Sequence, residues 1–227
     1  MYYNNGNSLP ASIICPNGLA MSGYEWRGWS SNNNTNPDAD VVYNIDSVVN
    51  ILEDSTFYGL YKTTVILSYN SNNGSGTMVE QFGEKYSNAY GTYKYPQFVL
   101  ADNTFTRSNC TFISWKMGSV DGNEYSPGTT VDLTENTTFY VKWKQVLSGS
   151  AYYNVSANGG AGETYTYPFS HPFKTPPTID YSKSSIDGDI TTSIYNITTT
   201  SFTANFAHRK SSGQGCSFVW TATGEPA

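Results

Sequence analysis

The sequence predicts an all-β protein, and three observations carry that prediction. β-Branched and aromatic residues come in short runs, such as Thr63-Thr-Val-Ile-Leu-Ser-Tyr69, Thr138-Phe-Tyr-Val-Lys-Trp143 and Ser201-Phe-Thr-Ala-Asn-Phe206. Gly, Asn, Asp and Pro punctuate those runs at the spacing of strands joined by turns. Helical periodicity is almost absent: the best candidate, Asp46-Ser-Val-Val-Asn-Ile-Leu-Glu53, is too short and too β-branched to hold a helix.

At 227 residues the chain has room for one to three domains and a sizeable core. Only 13% of residues are charged while 15% are aromatic, with 19 Tyr, so neutral hydrogen-bonding groups replace much of the usual charged surface. Such a surface suits sugar or protein contact outside a cell, and strand preference for Thr, Tyr and Val gives the same composition. The net charge of −6 and the scattered Arg27, Arg107 and Arg209 leave no basic stripe, which excludes nucleic acid as a partner. Cys15, Cys110 and Cys216 are far apart and odd in number, which predicts buried thiols and neither a disulfide framework nor a metal site. Residues 1–10 carry neither a basic region nor an apolar stretch, so the expectation is synthesis in a cytoplasm without export by the general secretion route. No apolar run approaches the roughly 18 residues of a bilayer span, so membrane insertion is not expected.

Along the chain, residues 1–12 hold too few apolar side chains to fold alone and read as an attachment arm that orders on a partner. An internal repeat follows. Tyr24-Glu-Trp-Arg-Gly-Trp29 aligns with Cys110-Thr-Phe-Ile-Ser-Trp115, and Glu53-Asp-Ser-Thr-Phe-Tyr-Gly-Leu-Tyr61 aligns with Glu135-Asn-Thr-Thr-Phe-Tyr-Val-Lys-Trp143. Each copy supplies a Trp and a Tyr-bearing strand for one small sheet. The first copy, 13–62, is divergent or truncated, and the second, 63–146, is full. Glu124 to Leu133 reads as a hairpin turning at Pro127-Gly128, and Asn72-Asn-Gly-Ser-Gly76 as a turn. Residues 147–162 read as a linker with a short strand at Ala151 to Val155, because Ser148-Gly-Ser and Asn158-Gly-Gly-Ala-Gly162 are flexible punctuation.

Residues 163–227 read as a small closing domain. Pro168, Pro172, Pro176 and Pro177 flank Phe169 and Phe173, which suits an edge or a crossing loop. Strands follow at Ile179 to Ser182, Ile194 to Ile197, Ser201 to Phe206 and Cys216 to Thr223, with Thr198-Thr-Thr200 as a turn and Trp220 as the core aromatic. Chemistry is sparse. His171, between Ser170 and Pro172, reads as structural. No Ser has the surroundings of a nucleophile elbow. Asp187-Gly-Asp189 lacks the further ligands of a calcium loop, and Asp38/Asp40 and Glu53/Asp54 have nothing to split their pKa values. The expectation is a protein without enzymatic activity, cofactor or metal.

Two resemblances add to this reading. Val65 to Gly74, Asn103-Thr-Phe-Thr-Arg-Ser-Asn-Cys-Thr-Phe-Ile-Ser-Trp115 and Thr137-Thr-Phe-Tyr-Val-Lys-Trp143 resemble the Listeria–Bacteroides repeat, a small β-grasp-like module of bacterial surface and phage tail proteins. Asn109-Cys110 stands where that pattern has Gly-Tyr, and Ser114 where it has Gly. The closing domain resembles the H-type lectin domain and related ends of phage fibres, on Phe169-Ser-His-Pro-Phe-Lys-Thr-Pro-Pro177, Asn196-Ile-Thr-Thr-Thr-Ser-Phe202 and Trp220-Thr-Ala-Thr-Gly224, with Ser201 for the usual Gly. The resemblance implies a six-stranded antiparallel β-sandwich that assembles as a parallel trimer and binds sugars at clefts between protomers. The lectin site's aromatic–His pair is not reproduced. The residues expected to contact ligand are Tyr195, His208, Arg209, Lys210 and Gln214.

Together these imply a structural fibre or decoration protein of a phage virion, head or tail. A homotrimer would attach to a capsid or tail protein through its N-terminal arm and bind a host-surface glycan or protein through its knob. A bacterial surface adhesin, or a virion brace with no receptor, shares the same features.

Overall fold

In a computed structural model, the described residues are 11–14, 20–30, 43–44, 46–51, 56–88, 91, 93–156, 162–185, 190–208 and 212–227. Among them every regular element is a strand and none is a helix. The chain divides into two compact units, 1–69 with 79–102 and 127–139, and 70–78 with 103–126 and 140–227.

In the first unit β1 (Ala11–Ile14) pairs antiparallel with β3 (Val48–Ile51), so the middle of the segment rejected as a helix is a strand. The long β4 (Tyr58–Asn70) is flanked by β2 (Glu25–Ser30), with Trp29 opposite Gly59, and by β5 (Gln81–Asn88), with Val65 opposite Gly83. The boundary expected between 62 and 63 therefore falls inside one continuous strand. The two-residue β6 (Tyr93–Lys94) extends β5, while β7 (Gln97–Val99) pairs with β10 (Thr130–Asp132). Leu60, Val65, Leu67, Phe98, Leu100, Val131, Leu133 and Phe139 are buried, as period-two alternation places them.

In the second unit β8 (Cys110–Met117) pairs with β9 (Glu124–Tyr125) and with the 19-residue β11 (Thr137–Val155). The Trp strand thus pairs with the Tyr-bearing strand in both copies of the repeat, β2 with β4 and β8 with β11. The expected hairpin at Glu124 to Leu133 is corrected. Its turn at Gly128 is present (φ 79°), but β9 pairs with β8 and β10 with β7. The backbone of Leu100 decides this, since it accepts from Gly128 N (2.7 Å) and donates to Thr129 O (2.9 Å).

Departures from the repeat pattern have local explanations. Asn109 sits at φ 58°, a left-handed conformation that Asn tolerates second only to Gly. Ser114 is buried and donates to Glu124 Oε2 at 3.0 Å. Lys142 and Lys116 reach Glu124 Oε1 at 2.6 and 3.1 Å, and these bonds, that of Lys142 foremost, hold the Glu124 carboxyl down at about 2. The turn at 71–76 forms as expected, with Asn72 and Asn73 left-handed and Gly74 N bonded to Ser71 O.

The C-terminal part of this unit is a six-stranded antiparallel sandwich. One layer is β13 (Thr178–Ser185), β16 (Gln214–Gly224) and the second half of β11, with Gln145 to Val155 opposite Gly224 to Gln214. The other is β12 (Glu163–Pro168), β15 (Ser201–Ala207) and β14 (Thr191–Tyr195). The short strand expected at Ala151 to Val155 is present, and residues 147–150, read above as flexible linker, are strand as well, so that β11 supplies the sixth member of the sandwich.

Leu147, Val155, Phe173, Ile190, Phe202, Phe206, Phe218 and Trp220 meet between the layers, each fully buried aromatic contributing on the order of 1.5–3 kcal/mol. Phe202 meets Trp220 edge-on at 5.2 Å, and Phe206 meets Phe218 at 5.0 Å. Gly149 lies opposite Trp220, and a Cβ there would come within 2.6 Å of the indole. The proline-rich stretch crosses from one layer to the other, pinned where Phe169 N and Phe173 N donate to Thr200 O and Thr199 O.

Candidate functional site

The five residues expected to contact ligand fall into three groups. Tyr195 ends the edge strand β14 and is 39% exposed, its hydroxyl 3.3 Å from Thr164 Oγ1. His208 is only 2% exposed and Gln214 is likewise buried. The His208 ring closes one end of the sandwich, with Nε2 2.8 Å from Val155 O. A carbonyl only accepts, so Nε2 carries the proton. This corrects the expectation that His208 and Gln214 stand exposed. Strand register turns both toward the interior, because His208 continues the inward row Phe202, Ala204, Phe206 and Gln214 opens the inward row Cys216, Phe218, Trp220. Arg209 and Lys210 lie outside the described residues.

Register also defines what the outer faces offer. On the β12–β15–β14 layer, Asn205 stands opposite Thr164 and Ser193, and Thr203 opposite Thr166 and Tyr195. Asn205 Nδ2 donates to Thr164 Oγ1 at 3.3 Å, linking amide, hydroxyl and phenol into one neutral row. Gly162, at φ 83°, makes room for it, since a Cβ would lie 2.3 Å from Asn205 Oδ1. On the other layer Ser148, Ser150, Ser182, Ser184, Ser217 and Thr221 surround the exposed Tyr152 and Val219, and the exposed carboxylate of Asp180 stands opposite Thr221. Hydroxyls and amides without charge both donate and accept, which suits polyhydroxyl ligands and close packing of another uncharged face.

At the edge of the sandwich Glu163 accepts from Ser156 N at 2.8 Å and from Tyr165 OH at 2.9 Å. These bonds, those of Ser156 first, hold its carboxyl below the ordinary range. Both described thiols, half-buried Cys110 and buried Cys216, are pushed up by burial and form no disulfide. Among the described residues no three His, Cys, Asp or Glu side chains gather closely enough to hold a metal.

Sequence reasoning missed one concavity. His171, read as structural, is exposed beside Arg107, Ser108 and the buried Gln145 around a cleft of about 350 Å³. The available signal was Arg107 itself, a cation in the Thr-Phe-Thr-Arg turn with no acidic neighbour in sequence.

Comparison with known proteins fits this architecture. No curated protein and no solved structure matches the chain. Residues 66–142 match the Listeria-Bacteroides repeat domain and residues 164–223 match the H-type lectin domain, so the chain carries a repeat module followed by a lectin-type sandwich.

Proposed function

We propose that this protein is a non-enzymatic structural fibre or decoration protein of a phage virion, whose C-terminal sandwich binds a glycan on the host surface. The match of residues 164–223 to the H-type lectin domain carries the glycan part of this reading. The outer rows of hydroxyls and amides, with Tyr195 and Asn205 on one layer and Tyr152 on the other, support it. Aromatic faces stack on sugar C–H groups while neighbouring hydroxyls and amides pair with sugar hydroxyls.

In this account three copies assemble side by side through an uncharged face and attach to the particle through residues 1–12. Individual sites are weak. Several on one trimer, and many trimers on one particle, raise avidity by two to four orders of magnitude, on the order of what linked sites achieve. The match of residues 66–142 to the Listeria-Bacteroides repeat favours a second reading, a bacterial surface adhesin, in which the same sandwich binds sugar from a cell wall instead of a particle.

Two measurements test the proposal. Light scattering of the purified full chain is expected to give three times the mass of one chain, and a monomer would end the trimeric account. Binding of labelled protein to intact bacteria is expected to be saturable and competed by soluble glycan. Absence of binding by a confirmed trimer would leave a brace without a receptor.

A further inference from the structure

The two layers of the sandwich treat their outward polar groups differently. On β12–β15–β14 the Asn205 amide, the Thr164 hydroxyl and the Tyr195 phenol are linked to one another. On β11–β16–β13 the exposed Ser150, Tyr152, Asn154, Asp180, Ser182 and Ser217 have side chains with no hydrogen bond or ion pair among the described residues. Their donors and acceptors face water and are open to another partner.

One aromatic ring lies in the middle of these groups in an unusual posture. Tyr152 stands opposite Ser217, and the next outward pair along the strands is Asn154 with Gly215. A Cβ on Gly215 would run into Tyr152 Oη and lie 3.0 Å from its Cζ. The phenol end therefore occupies the place of the missing side chain. With its Cα on β11 and its hydroxyl over β16, the ring lies down across the sheet, and the residue is still 64% exposed. Val219, opposite Ser150 and 46% exposed, extends the apolar surface along β16.

The surroundings narrow the class of partner. In the rows from Ser148 to Asn154 the only charged outward side chain is Asp180, opposite Thr221, so no cation is present to hold an acidic ligand and one carboxylate repels it. A protein partner needs an apolar interface core, and these rows offer only Tyr152 and Val219 among hydroxyls. An open aromatic face ringed by unpaired hydroxyls and an amide matches a sugar ring, which has C–H groups for the one and hydroxyls for the other. Tyr152 and Asp180 are two strands and four residues apart, on the order of 17 Å, so the face has room for several sugar units.

We propose that this face binds an uncharged oligosaccharide, with Tyr152 as the stacking platform and Asn154, Ser150 and Ser217 as partners of its hydroxyls. Gly215 is a positioning residue, acting through the ring it lets lie flat. The proposal rests on the glycan-binding reading above and adds a site separate from the row at Tyr195.

A glycan array carrying neutral oligosaccharides beside their sialylated counterparts, followed by calorimetric titration of the full chain with the strongest neutral member, tests this. Neutral members are expected to bind more strongly than their sialylated forms. Tyr152→Ala should weaken the titrated binding at least about fivefold, as loss of one aromatic contact does. Gly215→Ala should weaken it similarly with the ring still present, and the double variant should bind as weakly as Tyr152→Ala and no weaker. Parent-like binding in both single variants overturns the proposal, as does a preference for the sialylated forms. A Tyr152→Ala chain whose mass by light scattering differs from the parent's also overturns it, by assigning the face to contact between copies. A parent that binds no glycan ends the lectin reading itself, whereas binding lost in Tyr195→Ala and kept in Tyr152→Ala ends this site alone.

Discussion

Tyrosine does opposite work in the two units. In the sandwich Tyr153 stacks on Tyr165 at 4.0 Å and Tyr167 on Phe202 at 4.9 Å, packing against the core. In the first unit Tyr24, Tyr93 and Tyr95 surround the ammonium of Lys85 at 5.7, 4.9 and 5.4 Å, and Arg27 sits 4.5 Å above the Tyr86 ring. Tyr93 and Tyr95 are exposed there and stack on each other. An abundance of Tyr therefore does not indicate where the rings go. Strand register decides: the sandwich has two layers between which a ring can be covered on both faces, while the Lys85 cluster is capped by a cation.

Substitutions should separate the two roles. The largest effect is expected from Tyr167→Ala, which removes a ring touching Phe202, Phe218 and Trp220 and should cost about 3 kcal/mol in urea unfolding. Gly149→Val comes next at about 2 kcal/mol, because the new side chain displaces Trp220 and overpacks the layer. His208→Ala should cost about 1–3 kcal/mol by leaving Val155 O unpaired in the interior, and glycan binding should survive it. Tyr93→Ala in the first unit should cost under about 1 kcal/mol, since an exposed cation–π pair is weak. A loss at Tyr93 equal to that at Tyr167 would break the comparison.

The smallest effect is the acid limb. Glu124 titrates at about 2 in the folded chain against an ordinary 4.5, so its contribution is fully present above pH 4.5 and fades as pH falls toward 2. Glu124→Gln should flatten stability between those values and leave it unchanged at neutral pH in its slope with pH. Thermal melts from pH 2 to 7 would show this.

Much of the fold was legible from residue spacing. Period-two alternation in Ser201 to Phe206 and Cys216 to Thr223 located β15 and β16, Thr198 to Thr200 located the turn between β14 and β15, and Trp220 the core. The sixth strand was obscured by Ser148-Gly-Ser150, which reads as a flexible hinge. Gly149 is there because the Trp220 ring occupies the space of a side chain, a tertiary cause invisible in local sequence. The hairpin at Glu124 to Leu133 failed for a related reason: Leu100, distant in sequence, took both sides of the turn.

Legibility of the site was lower. The loop Ala207-His-Arg-Lys210, rich in cations, reads as exposed, yet burying His208 satisfies the carbonyl of Val155 in β11, a contact across more than fifty residues of sequence. The cleft at Arg107 brings together residues from positions 73 to 227, and no window of sequence contains that juxtaposition.

In the proposed function the six-stranded sandwich binds sugar through its outer rows of hydroxyls, amides and Tyr rings. A glycan array probed with the full chain tests it most directly. Binding to a discrete set of glycans is expected, retained in His208→Ala and weakened at least about fivefold in Tyr195→Ala, whose unfolding stability should change by under about 1 kcal/mol. A folded protein that binds no glycan on the array, or a Tyr195→Ala variant that binds as well as the parent while His208→Ala does not, would contradict it.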